Sequence, residues 1–72
     1  AQRHMFNTAR AKGVAIMAWK DTGFHSEHYY VVMAQNHKLE FVTWTWANGG
    51  FHNGHYYNDD EMKAWSDYQE RT

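Results

Sequence analysis

Histidine recurs in two copies of one short motif. Residues 23–30 (GFHSEHYY) and 50–57 (GFHNGHYY) share the pattern G-F-H-x-x-H-Y-Y at a separation of 27 residues. Six of the eight positions are identical, which indicates an internal duplication or repeated use of one loop. The motif histidines are His25, His28, His52 and His55.

Imidazole nitrogens at this spacing are candidate metal ligands. Four of them brought to one point would form a tetrahedral zinc site, or a site for nickel or copper. Glu27, inside the first motif, would be an alternative oxygen ligand. The chain has no cysteine, so a metal would also stabilise a small domain that cannot form a disulfide. The motifs would therefore accept zinc or nickel, although the fold is not expected to require a cofactor.

Three other interpretations of the motif stay open. In a purely structural one, glycine supplies a positive φ, phenylalanine closes the core, and histidine and tyrosine hydrogen-bond to loop backbone. In a second, clustered histidines repel one another once protonated below about pH 6.5 and loosen the loops or an interface. In a third, His25 or His52 acts as acid and base on a phosphodiester. No nucleophile motif or phosphate-binding loop accompanies them, so we do not expect an enzyme.

Segments of apolar and alternating residues predict the strands that would position these motifs. We expect strands at 14–19, 28–35 and 39–47, and a short fourth at 55–57. Alternation is clearest in the third strand. Its two faces consist of Val42, Trp44 and Trp46, and of Phe41, Thr43 and Thr45.

The C-terminal residues predict a helix over 59–71. Residues 58–61 (NDDE) resemble a capping box, and Met62, Trp65 and Tyr68 or Gln69 recur at helical spacing. The expected fold is one α+β domain over residues 1–72, an antiparallel meander of three or four strands within 14–57, packed on one C-terminal α-helix. Residues 6–12 lack a clear apolar period and are left unassigned. His4-Met5 is what a common cloning site encodes, so residues 1–4 would be a cloning remnant.

A meander places the two motifs side by side. The connections after the first and third strands of an up-down-up sheet lie at the same end, and neighbouring strands are about 4.8 Å apart. The four imidazoles would then be within reach of one another.

A single helix of about 13 residues is roughly 20 Å long and covers one face of such a sheet. The other face must meet the N-terminal segment, a second subunit or another protein. With four Trp, five Tyr and four Phe, the chain has more aromatic surface than so small a core can bury. We therefore expect self-association as a homodimer, or binding of another protein, through an aromatic sheet face. Its candidate residues are Tyr30, Phe41, Trp44 and Trp46.

Charge and length restrict the function further. The formal net charge of −1 gives no overall attraction to phosphate, so nucleic acid is an unlikely partner, although exposed Trp and Tyr would suit a sheet that stacks single-stranded bases. The apolar runs are too short to cross a membrane, which predicts a cytoplasmic protein. Small, cysteine-free, aromatic-rich chains occur in phage and mobile elements, which favours a protein-binding regulator.

Overall fold

The computed structural model describes residues 2–23 and 29–72. Four strands pair antiparallel in the order β1-β2-β3-β4, which confirms the predicted α+β meander. An N-terminal helix and a longer fourth strand are additions to that prediction. The elements are α1 Gln2–Ala11, β1 Ala15–Lys20, β2 Tyr30–Gln35, β3 Phe41–Ala47, β4 Gly50–Tyr56 and α2 Glu61–Glu70.

The turn between β3 and β4 decides the structure of the second motif. Asn48 and Gly49 have φ angles of 53° and 77°, the left-handed pair that a two-residue type I′ turn requires. Ala47 therefore pairs directly with Gly50, which starts β4 without a positive φ. The second motif is thus an edge strand, and the prediction that it forms a histidine-bearing loop is wrong.

The end of α1 directs the chain into the sheet. Gly13 has a φ of 72°, its N–H donates to the Arg10 carbonyl, and the Val14 N–H donates to the Ala9 carbonyl at 2.9 Å. These bonds form a Schellman motif, which satisfies carbonyls at the end of a helix. The motif fixes the angle at which the chain leaves α1 and enters β1.

A tight turn between β2 and β3 depends on Asn36. Its side-chain oxygen accepts hydrogen bonds from the N–H groups of Lys38 and Glu40, and its carbonyl accepts one from the Leu39 N–H. Leu39 has a φ of 63°, a conformation that glycine adopts more readily than leucine.

The strand register divides the sheet into two faces. We call one the aromatic face, and it consists of Tyr30, Val32, Ala34, Val42, Trp44 and Trp46. The other is the threonine face, and it consists of Val31, Met33, Thr43 and Thr45. Helix α1 packs on the aromatic face, where Met5 is fully buried in the main hydrophobic cluster. Helix α2 packs on the threonine face. The N-terminal segment, one of the three alternatives for the second face, covers the β1 side of it.

Each helix differs in detail from the sequence prediction. Residues 2–4, interpreted above as a cloning remnant, begin α1, and the ring of His4 lies 5.3 Å from that of Trp46. In α2, Met62 is 84% exposed and does not face the sheet. Tyr68, also predicted on the apolar side, does face the sheet, together with Ala64 and Asp67, and Arg71 lies just beyond the helix.

Candidate functional site

The four residues predicted to form an interaction face lie in three different environments. Tyr30 and Trp46 are buried beneath α1, at 8% and 2% exposure. Phe41 pairs with Gln35, and the alternation of β3 places it on the opposite face of the sheet. Trp44 is half-buried at the margin of the aromatic face.

Around Trp44 lies an aromatic cluster, which we call the aromatic patch and define as Trp44, Phe51 and Tyr56. The Trp44 ring centroid is 4.9 Å from that of Phe51 and 6.0 Å from that of Tyr56. Tyr56 is 55% exposed, and Phe51 is half-buried. The patch lies on the β4 side of the aromatic face, whereas α1 packs chiefly against β1 at the other side.

Gly54 permits the close packing of the aromatic patch against β4. A Cβ at this position would lie 2.6 Å from Nε1 of Trp44 and 3.0 Å from Cε1 of Tyr56. The absence of a side chain therefore lets the indole pack directly against β4 at the irregularity between Thr43 and Thr45. In the first motif the equivalent residue is Glu27. This difference between the two copies is the feature of the sequence that could have pointed to the close packing at Gly54.

The motif histidines are only partly within the described chain. His25 and His28 lie outside the described residues. His52 and His55 pair with Thr45 and Thr43, on the threonine face of β4. Among residues 2–23 and 29–72, no group of three or more His, Asp or Glu side chains is placed to hold a metal.

The rings of the two described motif histidines engage different partners. The Nε2 atom of His52 lies 2.9 Å from the carbonyl oxygen of Ala47, whereas Nδ1 of His55 lies 2.9 Å from Oδ2 of Asp67. The backbone contact of His52 agrees with the structural interpretation of the motif, whereas His55 contacts a side chain of α2 and not loop backbone. The four-histidine metal site stays a prediction.

Asp67 is the centre of a polar cluster between α2 and the sheet. Its carboxylate accepts hydrogen bonds from the Thr43 hydroxyl at 2.5 Å, from His55 and from the Tyr57 hydroxyl. Burial alone would raise the pKa of Asp67, but these hydrogen bonds outweigh it and hold the pKa below its ordinary value. Burial, followed by the hydrogen bond to Asp67, raises the pKa of Tyr57.

Arg71 completes this cluster by joining the end of α2 to both β3 and β4. Its guanidinium donates to four oxygens at 2.6–3.3 Å, which are Thr43 O, Thr43 Oγ1, Thr45 Oγ1 and Asn53 O. Its Nη1 is also 3.1 Å from Nδ1 of His55. The carboxylate of Asp67 can only accept a hydrogen bond, and the guanidinium of Arg71 has other acceptors. The arrangement therefore favours a proton on Nδ1 of His55, which donates to Asp67. The cluster satisfies two buried threonine hydroxyls, while the side chain of His55 stays 52% exposed.

Charge is distributed unequally between the two helical layers. Residues 2–13 carry Arg3, Arg10 and Lys12, all exposed, and no acidic side chain. Residues 59–71 carry five acidic and two basic side chains. A basic layer therefore covers the aromatic face and an acidic layer covers the threonine face, although the charges nearly cancel in total.

No protein-family model, curated protein or solved structure matches this chain. Within the part of the chain that the structure describes, no helix is both long enough and apolar enough to cross a membrane.

Proposed function

We propose that this chain is a small non-enzymatic interaction module that binds another protein through the aromatic patch. The observation that carries the proposal is the cluster of half-buried Trp44 and Phe51 with exposed Tyr56, on the face that α1 packs on. Tyrosine and tryptophan are enriched among residues that contribute most to binding, because they bury a large rigid surface at low entropic cost. Trp44 is held in place by its two aromatic neighbours, so its ring needs little ordering on binding.

Charge indicates the chemistry of the partner. Helix α1 lies on the same face as the patch, and its basic side chains, Arg3 and Arg10, have no acidic neighbour in the helix. A partner segment that combines acidic residues with an aromatic or aliphatic anchor would match this surface, because opposite potentials speed association and exclude other partners.

Selection from a displayed library of random peptides tests the proposal. We expect enrichment of peptides that contain Asp or Glu next to a large apolar residue. Trp44→Ala and Tyr56→Ala should each weaken the selected peptides by about tenfold or more, since hot-spot truncations cost about 2 kcal/mol. Met62→Ala, an exposed position on α2, is the matched control and should bind normally. Selected peptides that bind all variants equally would contradict the proposal, as would a library that yields no binder.

Binding of single-stranded nucleic acid is a second candidate, favoured by the concentration of basic residues in α1 on the aromatic face. Bases would stack on Trp44 and Tyr56 while Arg3 and Arg10 contact phosphates. An oligonucleotide should then quench tryptophan fluorescence, and added salt should reverse the quench. A quench that is absent, or independent of salt, would eliminate this candidate.

Metal binding by the motif histidines is a separate proposal. His52 and His55 each use one ring nitrogen for the present partner, Ala47 or Asp67, so the second nitrogen of each ring is the one that would coordinate a metal. Zinc and nickel content should be measured on protein purified without an affinity tag. If the site exists, His28→Ala and His55→Ala should each lower that content, and unchanged content in both variants would refute it.

A further inference from the structure

Strand β1 has the properties of a pairing edge. It lies at the outside of the sheet, and in the described part of the chain it pairs with β2 alone. Residues 15–19 (AIMAW) are all apolar. Met17 and Trp19 are exposed along this edge, and Phe6 of α1, also exposed, packs edge-to-face on Trp19 at 6.4 Å.

Edge strands are normally protected against pairing by charged side chains, proline, β-bulges or a covering helix or loop. In β1 the charged residue is Lys20, but its Nζ donates to the Tyr68 and Gln69 carbonyls and lies 4.7 Å above the ring of Tyr68. Lys20 therefore stabilises the end of α2 and does not guard the edge. Met17 lies at the irregularity between Ile16 and Ala18, and its apolar side chain is 41% exposed.

The opposite edge is protected. Strand β4 contains two glycines, its backbone is irregular between His52 and His55, and Asn53 has a φ of 54°. The carbonyl of Asn53 is already occupied by the Arg71 guanidinium. Both outer strands carry an irregularity, but among the described residues β4 also has a positive φ at Asn53 and a carbonyl bonded to Arg71, so β1 is the less protected edge.

We propose that β1 pairs antiparallel with β1 of a second copy of this chain, about a two-fold axis perpendicular to the sheet. Residues 15–19 of β1 carry no charge, so two copies of this segment can pair without like-charge repulsion, and an isologous contact of this kind closes as a dimer. The two four-stranded sheets join into one, with both aromatic faces on the same side. Phe6 and Trp19 of each copy then lie beside the new strand pair. The aromatic patch is at the far edge, so this inference does not rest on the proposed function.

Sedimentation of the full chain over a range of concentrations, together with Met17→Lys, tests the inference. We expect a wild-type dimer, and we expect Met17→Lys to weaken association by about tenfold or more, because a charge would be buried without a partner. Tyr56→Lys places the same charge at the far edge and should leave the dimer intact. It should abolish peptide binding, which separates failure of this inference from failure of the proposed function.

Cross-linking provides a second readout that does not depend on a charged substitution. The chain has no cysteine, so Met17→Cys introduces a single thiol. Mild oxidation should convert this variant to a disulfide-linked dimer faster than Met62→Cys, which places the thiol on exposed α2. A wild-type monomer at millimolar concentration would overturn the inference. So would equal cross-linking of the two cysteine variants, or dissociation by Tyr56→Lys in place of Met17→Lys.

Discussion

Gly54 determines where the half-buried indole of Trp44 lies. The ring packs between Phe51 and Tyr56, so it cannot move without losing those contacts. We expect Gly54→Ala to lower the free energy of unfolding by about 1–3 kcal/mol, as overpacking commonly does, and to change tryptophan fluorescence.

Gly50→Ala is the matched control for Gly54→Ala in the same strand. The nearest atom to its Cβ would be Nε2 of His52 at 3.6 Å, an ordinary contact. Its stability in urea should therefore equal or exceed that of the wild type. Equal effects of the two substitutions would show that the proximity of Trp44 is unimportant.

Leu39 offers a stabilising substitution. It is exposed and adopts a φ of 63° at the position of a β-turn where glycine is preferred. Leu39→Gly should raise the free energy of unfolding by about 0.5–1 kcal/mol because it removes the Cβ clash of the left-handed conformation. Leu39→Ala retains the Cβ and should give no gain. A Leu39→Gly protein that is less stable than Leu39→Ala in urea denaturation would refute this explanation.

At the scale of elements, the attachment of α2 is largely polar. The side of the helix that faces the sheet carries Asp67 and is followed by Arg71, and both bond to the buried Thr43. The sequence predicted the helix but assigned Met62 to its buried side. Apolar periodicity could not identify the correct side, because Thr43 and Asp67 are 24 residues apart and their pairing exists only in the folded chain.

Asp67 should make stability depend on acid. Its folded pKa is lowered, so its stabilising contribution is complete above the unfolded pKa of about 3.9 and is lost as the pH falls through the folded value. Asp67→Asn should reduce the free energy of unfolding at neutral pH by about 1–3 kcal/mol.

Urea denaturation at several pH values should show a smaller loss of stability in acid for Asp67→Asn than for the wild type. Asp59→Asn changes an exposed acid just before α2 and should follow the wild-type curve. An Asp67→Asn curve parallel to that of the wild type would show that this carboxylate does not carry the acid dependence.

Helix α1 and most of strand β4 could not be predicted from local sequence patterns. The buried residues of α1 are Met5 and Ala9, too few to produce a visible apolar period. Strand β4 contains two glycines and several polar residues, which disfavour a strand, and its pairing with β3 overrides that preference. Strands β1 and β2 were predictable from their apolar runs, and β3 from its alternation. The aromatic patch was predictable only in part, since Trp44 was identified and Phe51 and Tyr56 were not.

At the scale of the whole molecule, three layers replace the two that the sequence predicted. Met5 connects α1 to the cluster that includes Tyr30 and Trp46. Met5→Ala should cost about 2–5 kcal/mol through lost contacts and a residual cavity. That loss is comparable to the entire stability of a domain of this size.

Met62→Ala removes the same atoms from an exposed position of α2 and should change stability by less than about 0.5 kcal/mol. Thermal unfolding followed by circular dichroism compares the two variants directly. If Met5→Ala and Met62→Ala had the same melting temperature, the packing of α1 through Met5 would contribute little to the stability of the fold.

The unequal charges of the two helical layers give the molecule an electric dipole perpendicular to the sheet. Residues 2–13 form its positive pole and residues 59–71 its negative pole, while the total charge is −1. On any charged support the chain would adsorb in one orientation, with α1 against an anionic matrix and α2 against a cationic one. Its retention on ion-exchange resins would then follow the pole that meets the resin and not the isoelectric point.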